Sequence, residues 1–226
     1  MTPSEIGAAL DAAEESLARG GTLAGTRFWR AVAAVKAEPG LVDRFAQRIA
    51  RIDATAFRRW ALLVVPLWIG TLTMVLATVL GLLLVALAYG VEGVTAIVLF
   101  FVGFGVLLVA THGLAHLVVG RLAGIRFTHW FIGTITRPQP GVKVDYASYL
   151  ATPARARAWM HAAGALTTKV IPFALIGAAV AADLPGWTVW VLVAVGVISV
   201  ITDVVWSTKS SDWKKFRRER SFAQTS

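Results

Sequence analysis

Of the 226 residues 57% are hydrophobic and only 15% are charged, and the formal net charge is +9. An ordinary soluble domain carries roughly 25% charged residues, so this balance points away from a water-soluble globule and toward lipid. No cysteine is present, which excludes disulfide scaffolds and thiol chemistry.

The N-terminal stretch, residues 1–58, reads as helical. Thr2, Pro3 and Glu5 form a capping-box pattern with proline at the first helical position, and Gly20 and Gly21 end the helix they open. A second helix is predicted from about Thr26 to Ala37, closed by Pro39 and Gly40. From Leu41 a third runs on toward the first apolar segment, with Leu41, Phe45, Ile49, Ile52 and Phe57 as its stripe. The expectation is a helical cap lying on a membrane surface with its Arg residues toward headgroups.

Trp60 to Tyr89 contains no charged residue, a run longer than the ~20 residues that cross a bilayer core as a helix. Gly93 to Thr111 is equally free of charge. Trp159 to Ala182 includes a single Lys, and Trp187 to Trp206 a single Asp. Polar positions at helical spacing, which would face water in a soluble bundle, are missing from these runs. Four transmembrane helices follow, at about 60–89, 93–120, 159–182 and 186–206, in a core spanning 59–208. The first run begins too far along the chain to be a cleaved signal peptide.

Basic residues set the predicted orientation. Arg44, Arg48, Arg51, Arg58 and Arg59 precede the first span. Arg121, Arg126, Arg137, Lys143, Arg155 and Arg157 lie between the second and third, and Lys209, Lys214, Lys215, Arg217, Arg218 and Arg220 follow the fourth. The connections around Glu92 and Asp183 have none. Both termini are thus expected on the cytoplasmic side of a cell membrane, with Trp60, Trp159, Trp187, Trp190 and Trp206 near the span ends. Topology and attraction to anionic lipid account for the positive charge, the basic tail 209–226 included, and no nucleic acid partner is called for.

In the loop 121–158, Ile125 to Ile135 is rich in β-branched and aromatic residues. Pro138, Pro140 and Gly141 then break the chain before Val142 to Tyr146. This is a hairpin pattern. The fold class expected is an all-α polytopic membrane protein with four transmembrane helices, a helical N-terminal cap and a small β-hairpin at the cytoplasmic face.

An ionisable group at the centre of a span costs at least ~2.5 kcal/mol, so each one is a functional candidate. They are His112, His116, His161, Lys169 and Asp203. His112 and His116, four apart, share one helix face. With Arg121 as the edge of the span, a rise of 1.5 Å per residue sets His116 roughly 8 Å and His112 roughly 14 Å deep. Counted from Lys209, Asp203 is roughly 9 Å deep on the fourth span. Two imidazoles and a carboxylate at one depth suit three ligands of a tetrahedral zinc ion, with the fourth position left to water. The same residues also suit a helix interface, with each ring hydrogen-bonded to a neighbour and Asp203 paired with Lys169.

The segment His112-Gly113-Leu114-Ala115-His116, continuing through Gly120-Arg121-Leu122-Ala123-Gly124-Ile125-Arg126-Phe127, resembles the zinc-binding helix and following strand of the site-2 protease family of intramembrane metalloproteases. Ala162-Ala163-Gly164-Ala165-Leu166-Thr167-Thr168 is similar to that family's Ala-Gly-Pro-x-Ala-Asn stretch, and Asp203 falls where its Asp-Gly motif supplies the third ligand. The resemblance covers roughly residues 95–210 and implies zinc on His112, His116 and Asp203. Gly113 stands where the family has its general-base Glu, Ala165 where it has Pro, Thr168 where it has Asn, and Val204 where it has Gly. With no catalytic residue assigned, the expectation is a non-peptidase binding or regulatory relative that takes a membrane protein or peptide by strand addition. An active zinc metalloprotease using an unusual base, with His161 or Lys169 in that role, is one alternative. A metal-free protein whose polar cluster holds the spans together is another.

Overall fold

The computed structural model describes residues 1–135, 140–205 and 211–223. Arg137, Pro138, Trp206 and Lys209, used in the sequence reading, lie outside the described residues, as does the side chain of Val204. The chain divides into two compact units.

One unit gathers Met1–Pro66, Gly120–Arg157 and the chain from Arg218. Helix α1 (Pro3–Ala18) opens with both halves of the capping box: the Thr2 hydroxyl accepts the Glu5 N–H at 3.2 Å, and the Glu5 carboxylate accepts the Thr2 N–H at 2.7 Å. Helix α2 (Phe28–Ala37) starts only after Arg27, which sits in the left-handed region at φ 60°. Helix α3 (Pro39–Trp60) begins ahead of the expected Leu41, because Pro39 serves as its first residue, where no N–H is needed. Leu41, Phe45, Ile49 and Ile52 are buried against Ile6 and Leu10 of α1 and Phe28 and Val35 of α2, so the stripe of α3 is covered by protein. On the outer side Arg48 bridges Asp11 at 2.5 Å and Glu14 at 2.6 Å.

The sheet in this unit departs from the hairpin expected. Strand β1 (Leu63–Pro66) pairs antiparallel with β2 (Phe127–Ile132), which pairs antiparallel with β3 (Pro140–Val144). Residues 60–66 of the expected first span are therefore the end of α3 and an edge strand. Val64 and Val65 are β-branched, and Pro66 stands at a strand end on the sheet edge, where proline is tolerated. A Cβ on Gly141 would lie 2.7 Å from Cζ of Phe131, so glycine lets that ring cover the β3 backbone. Helix α6 (Tyr146–Ala151) is capped by Asp145, which accepts the Ser148 N–H at 3.3 Å, and Lys143 of β3 pairs with Asp53 of α3.

The other unit comprises Leu67–Val119 and Ala158–Arg217. It holds α4 (Leu67–Leu87), most of α5 (Gly93–Leu122) and of α7 (Ala154–Ala181), α8 (Trp187–Val205) and the first turns of α9 (Asp212–Phe222). Among the described residues, three helical stretches, Leu67–Gly90, Gly93–Leu122 and Ala154–Ala181, are long and apolar enough to cross a membrane. The apolar part of α8, Trp187–Asp203, is shorter. Only 17%, 33% and 22% of the three apolar windows is buried inside the protein, so side chains such as Leu76, Val79, Val98 and Val170 require a hydrocarbon surrounding. This is a membrane protein. Threonine hydroxyls in these helices donate to their own backbone, Thr78 to the Met74 carbonyl at 2.8 Å and Thr111 to that of Leu107 at 2.6 Å, which satisfies them without water. Helices α4 and α5 cross at Gly81 and Gly103, where a Cβ on Gly103 would come 2.7 Å from the Gly81 carbonyl oxygen. Phe100, Phe104 and Leu107 of α5 form a core with Val85, Ala179 and Leu192.

Candidate metal centre

Helix α5 carries His112 and His116 one turn apart on the same face. The two Nε2 atoms lie 3.2 Å from each other, with ring centroids 4.7 Å apart. The carboxylate that joins them is Asp212, the first residue of α9: its Oδ2 is 3.2 Å from His112 Nε2 and 3.1 Å from His116 Nε2. The three ligand atoms form a nearly equilateral triangle. A tetrahedral zinc site with bonds of 2.0–2.1 Å has ligand-to-ligand edges of about 3.3 Å, close to these. The side chains are largely withdrawn from solvent, 31%, 12% and 17% exposed for His112, His116 and Asp212.

The hydrogen-bond pattern determines what the triangle needs. His116 Nδ1 is 2.7 Å from the Met160 carbonyl of α7, and a carbonyl only accepts, so the Nδ1 proton is committed there. In a neutral ring, His116 Nε2 is then a lone pair facing a carboxylate oxygen. Even with one proton shared from His112 Nε2, that contact sets electron pair against electron pair. A cation among the three atoms, or an extra proton on the ring, removes the conflict. Fixing one ring nitrogen on a carbonyl while the other faces the ion is also how metal-ligating histidines are oriented.

Two further features fit a metal. Gly164 of α7 lies flat on the His116 ring: a Cβ there would overlap Nε2 and come 2.7 Å from Cδ2 and Cε1, so the space beside the ring exists only because residue 164 has no side chain. Asp212 uses its two oxygens separately, Oδ2 toward the rings and Oδ1 as acceptor from Lys215 Nζ at 2.9 Å. The His112/His116/Asp212 group could thus hold a metal ion.

Asp203, expected as the third ligand, is not brought to the rings. Its carboxylate pairs with Lys169 of α7, which also donates to the Ala165 carbonyl at 3.1 Å. Lys169 is therefore engaged by Asp203 and by its own helix. Thr168 donates to the Gly164 and Ala165 carbonyls of its own helix. The His161 ring centroid is 6.4 Å from that of His116, near the triangle but not among its ligands. Asp212 was hidden in a segment that reads as a basic tail. A signal was present nonetheless: Asp212, Phe216 and Glu219 recur at i, i+4 and i+7, one helix face, and Phe216 and Glu219 are buried.

Comparison of the chain with protein-family models, with curated proteins and with solved structures returned no match, so the geometry of these side chains carries the functional reading.

Proposed function

We propose that this chain is a zinc-binding polytopic membrane protein of site-2-protease-like layout that acts by binding rather than by cleaving, with His112, His116 and Asp212 as ligands. The observation that carries it is the 3.1–3.2 Å triangle of two imidazole nitrogens and a carboxylate oxygen. Zinc at such a site supplies a Lewis acid able to polarise a carbonyl or a water. Turning that into hydrolysis needs a base, and this chain offers Gly113 where such motifs carry Glu, while both oxygens of Asp212 are engaged. A regulatory or scaffolding role follows. Its partner is a membrane protein or extended peptide added to an edge of the three-stranded sheet, whose outer strands β1 and β3 each have one side outside the sheet pairing. The membrane arrangement proposed is four spans, α8 being the fourth, with both termini cytoplasmic on the strength of the basic flanks and anionic lipid at that face.

Metal analysis of the purified chain tests this. About one zinc per chain is expected, lost in His112→Ala/His116→Ala and in Asp212→Ala and retained in Asp203→Asn. A metal-free wild type, or zinc lost with Asp203 rather than Asp212, refutes the assignment. Chelator-sensitive peptide cleavage by the wild type would instead favour the hydrolase, for which His161 is the imidazole at hand.

A further inference from the structure

The metal triangle has a fourth participant in its own unit, Lys215. It stands three residues after Asp212 on α9, and its Nζ donates to Asp212 Oδ1 at 2.9 Å. The other oxygen of the same carboxylate, Oδ2, faces His112 and His116 at 3.2 and 3.1 Å. Exposed i, i+3 ion pairs on a helix are common and weak. This pair is largely withdrawn from solvent, with the Lys215 and Asp212 side chains 33% and 17% exposed, and it occupies the one carboxylate oxygen that the rings leave over.

The turn that carries both residues is fixed. Ser211 Oγ accepts the Lys214 N–H at 3.3 Å and the Ser211 carbonyl accepts the Lys215 N–H at 3.1 Å, so α9 is capped immediately ahead of Asp212. Trp213 and Phe216, their rings stacked 5.0 Å apart, pack on Ala158 and Ala162 of α7.

A carboxylate meets a divalent ion through one oxygen or through both. Two imidazoles and one oxygen make three ligands with a position left open. Two imidazoles and both oxygens make four before any outside ligand enters. The difference is Oδ1. A charge-assisted hydrogen bond from an ammonium holds that oxygen about twice as strongly as a neutral donor would, and the ammonium's charge opposes close approach of a second cation to it.

We infer that Lys215 is a positioning residue for the metal centre: by holding Asp212 Oδ1 it restricts the carboxylate to one coordinating oxygen, and so selects ions satisfied with four ligands, such as Zn²⁺, over ions suited to more oxygens, such as Mn²⁺. Lys215 touches a ligand and not the ion. Its role rests on the metal reading above and adds to it what the triangle leaves open, the coordination number.

The test is a ratio. Removing a positive charge beside the site strengthens attraction to Zn²⁺ and Mn²⁺ alike, and a merely structural defect weakens both, so the ratio of the two Kd values isolates the carboxylate. In chelator-competition titrations of the full chain, Lys215→Met should bring Mn²⁺ about tenfold closer to Zn²⁺ than in wild type, equivalent to about 1.4 kcal/mol. Lys215→Arg, which keeps a cation for Oδ1, should hold the wild-type ratio. A ratio within about threefold of wild type in zinc-binding Lys215→Met overturns the role of Lys215 and leaves the site standing. Should that variant fold poorly, Co²⁺ in the wild type suffices: the intense visible absorption of a four-coordinate ion is expected, and the weak absorption of a five- or six-coordinate one overturns the inference. A wild type that takes up no zinc overturns the site itself.

Discussion

Replacing Gly164 by alanine adds one methyl group at the point where α7 touches the His116 ring. That methyl would overlap Nε2 and stand 2.7 Å from two ring carbons, where ordinary contact begins near 3.4 Å. The ring cannot swing away freely, since its Nδ1–H is held 2.7 Å from the Met160 carbonyl and its helix is packed in the core. Relief requires a shift of roughly 1 Å, comparable with the overpacking that costs about 1–3 kcal/mol in well-packed interiors. Such a shift breaks the carbonyl hydrogen bond, worth about 1 kcal/mol, and opens a triangle whose edges are now 3.1–3.2 Å. Loss of an outer-shell partner alone weakens metal binding about 10–100-fold, so with a ligand also displaced a loss of about 100-fold or more is expected. Gly177→Ala is the matched control: it is on the same helix, its Cβ would meet nothing within 4 Å, and it should bind zinc as wild type does. Competition titration and thermal melting of both variants decide the matter. Gly164→Ala holding zinc within about threefold of wild type would refute the packing argument, since threefold corresponds to only about 0.7 kcal/mol.

The Lys169–Asp203 pair should matter for stability and not for metal. Lys169→Met or Asp203→Leu alone leaves a charge without its partner and is expected to destabilise by about 3–5 kcal/mol in denaturant titration, while the double replacement recovers most of the loss; equal destabilisation by single and double variants would contradict this. Acid should loosen the far end of α9: burial raises the Glu219 carboxyl, but Lys36 and Arg157 outweigh it and hold the group below its ordinary value of 4.5. A depressed folded-state value means the contribution is complete above about pH 4.5 and is lost as pH falls through the folded value. Limited proteolysis of the C-terminal helix between pH 7 and 3 should show this, and Glu219→Gln should flatten the dependence.

Much of the chain can be read without coordinates because its signals are local. The capping box at Thr2 and Glu5, the α3 stripe and the i, i+4 histidines need only helical periodicity. The run 60–89 misled because an apolar segment has the same composition whether it spans lipid or pairs as a strand. Leu63 to Pro66 become β1 only through pairing with residues 129–132, more than sixty positions on. The third ligand candidate misled for a related reason: depth along a helix is one coordinate, whereas proximity to a ring also needs the rotation and approach of the helix. Asp203 has the depth but turns to Lys169, and Asp212, in a segment dominated by Lys and Arg, has the approach.

The sequence by itself determined that long apolar helices would seek lipid and that two imidazoles would share a helix face, since solvation and helical pitch act residue by residue. Which carboxylate met those rings was decided only by the tertiary structure. A buried charge goes to whichever opposite group the packing brings within about 3 Å, and in this protein Lys169 takes one aspartate while the seating of α9 presents the other.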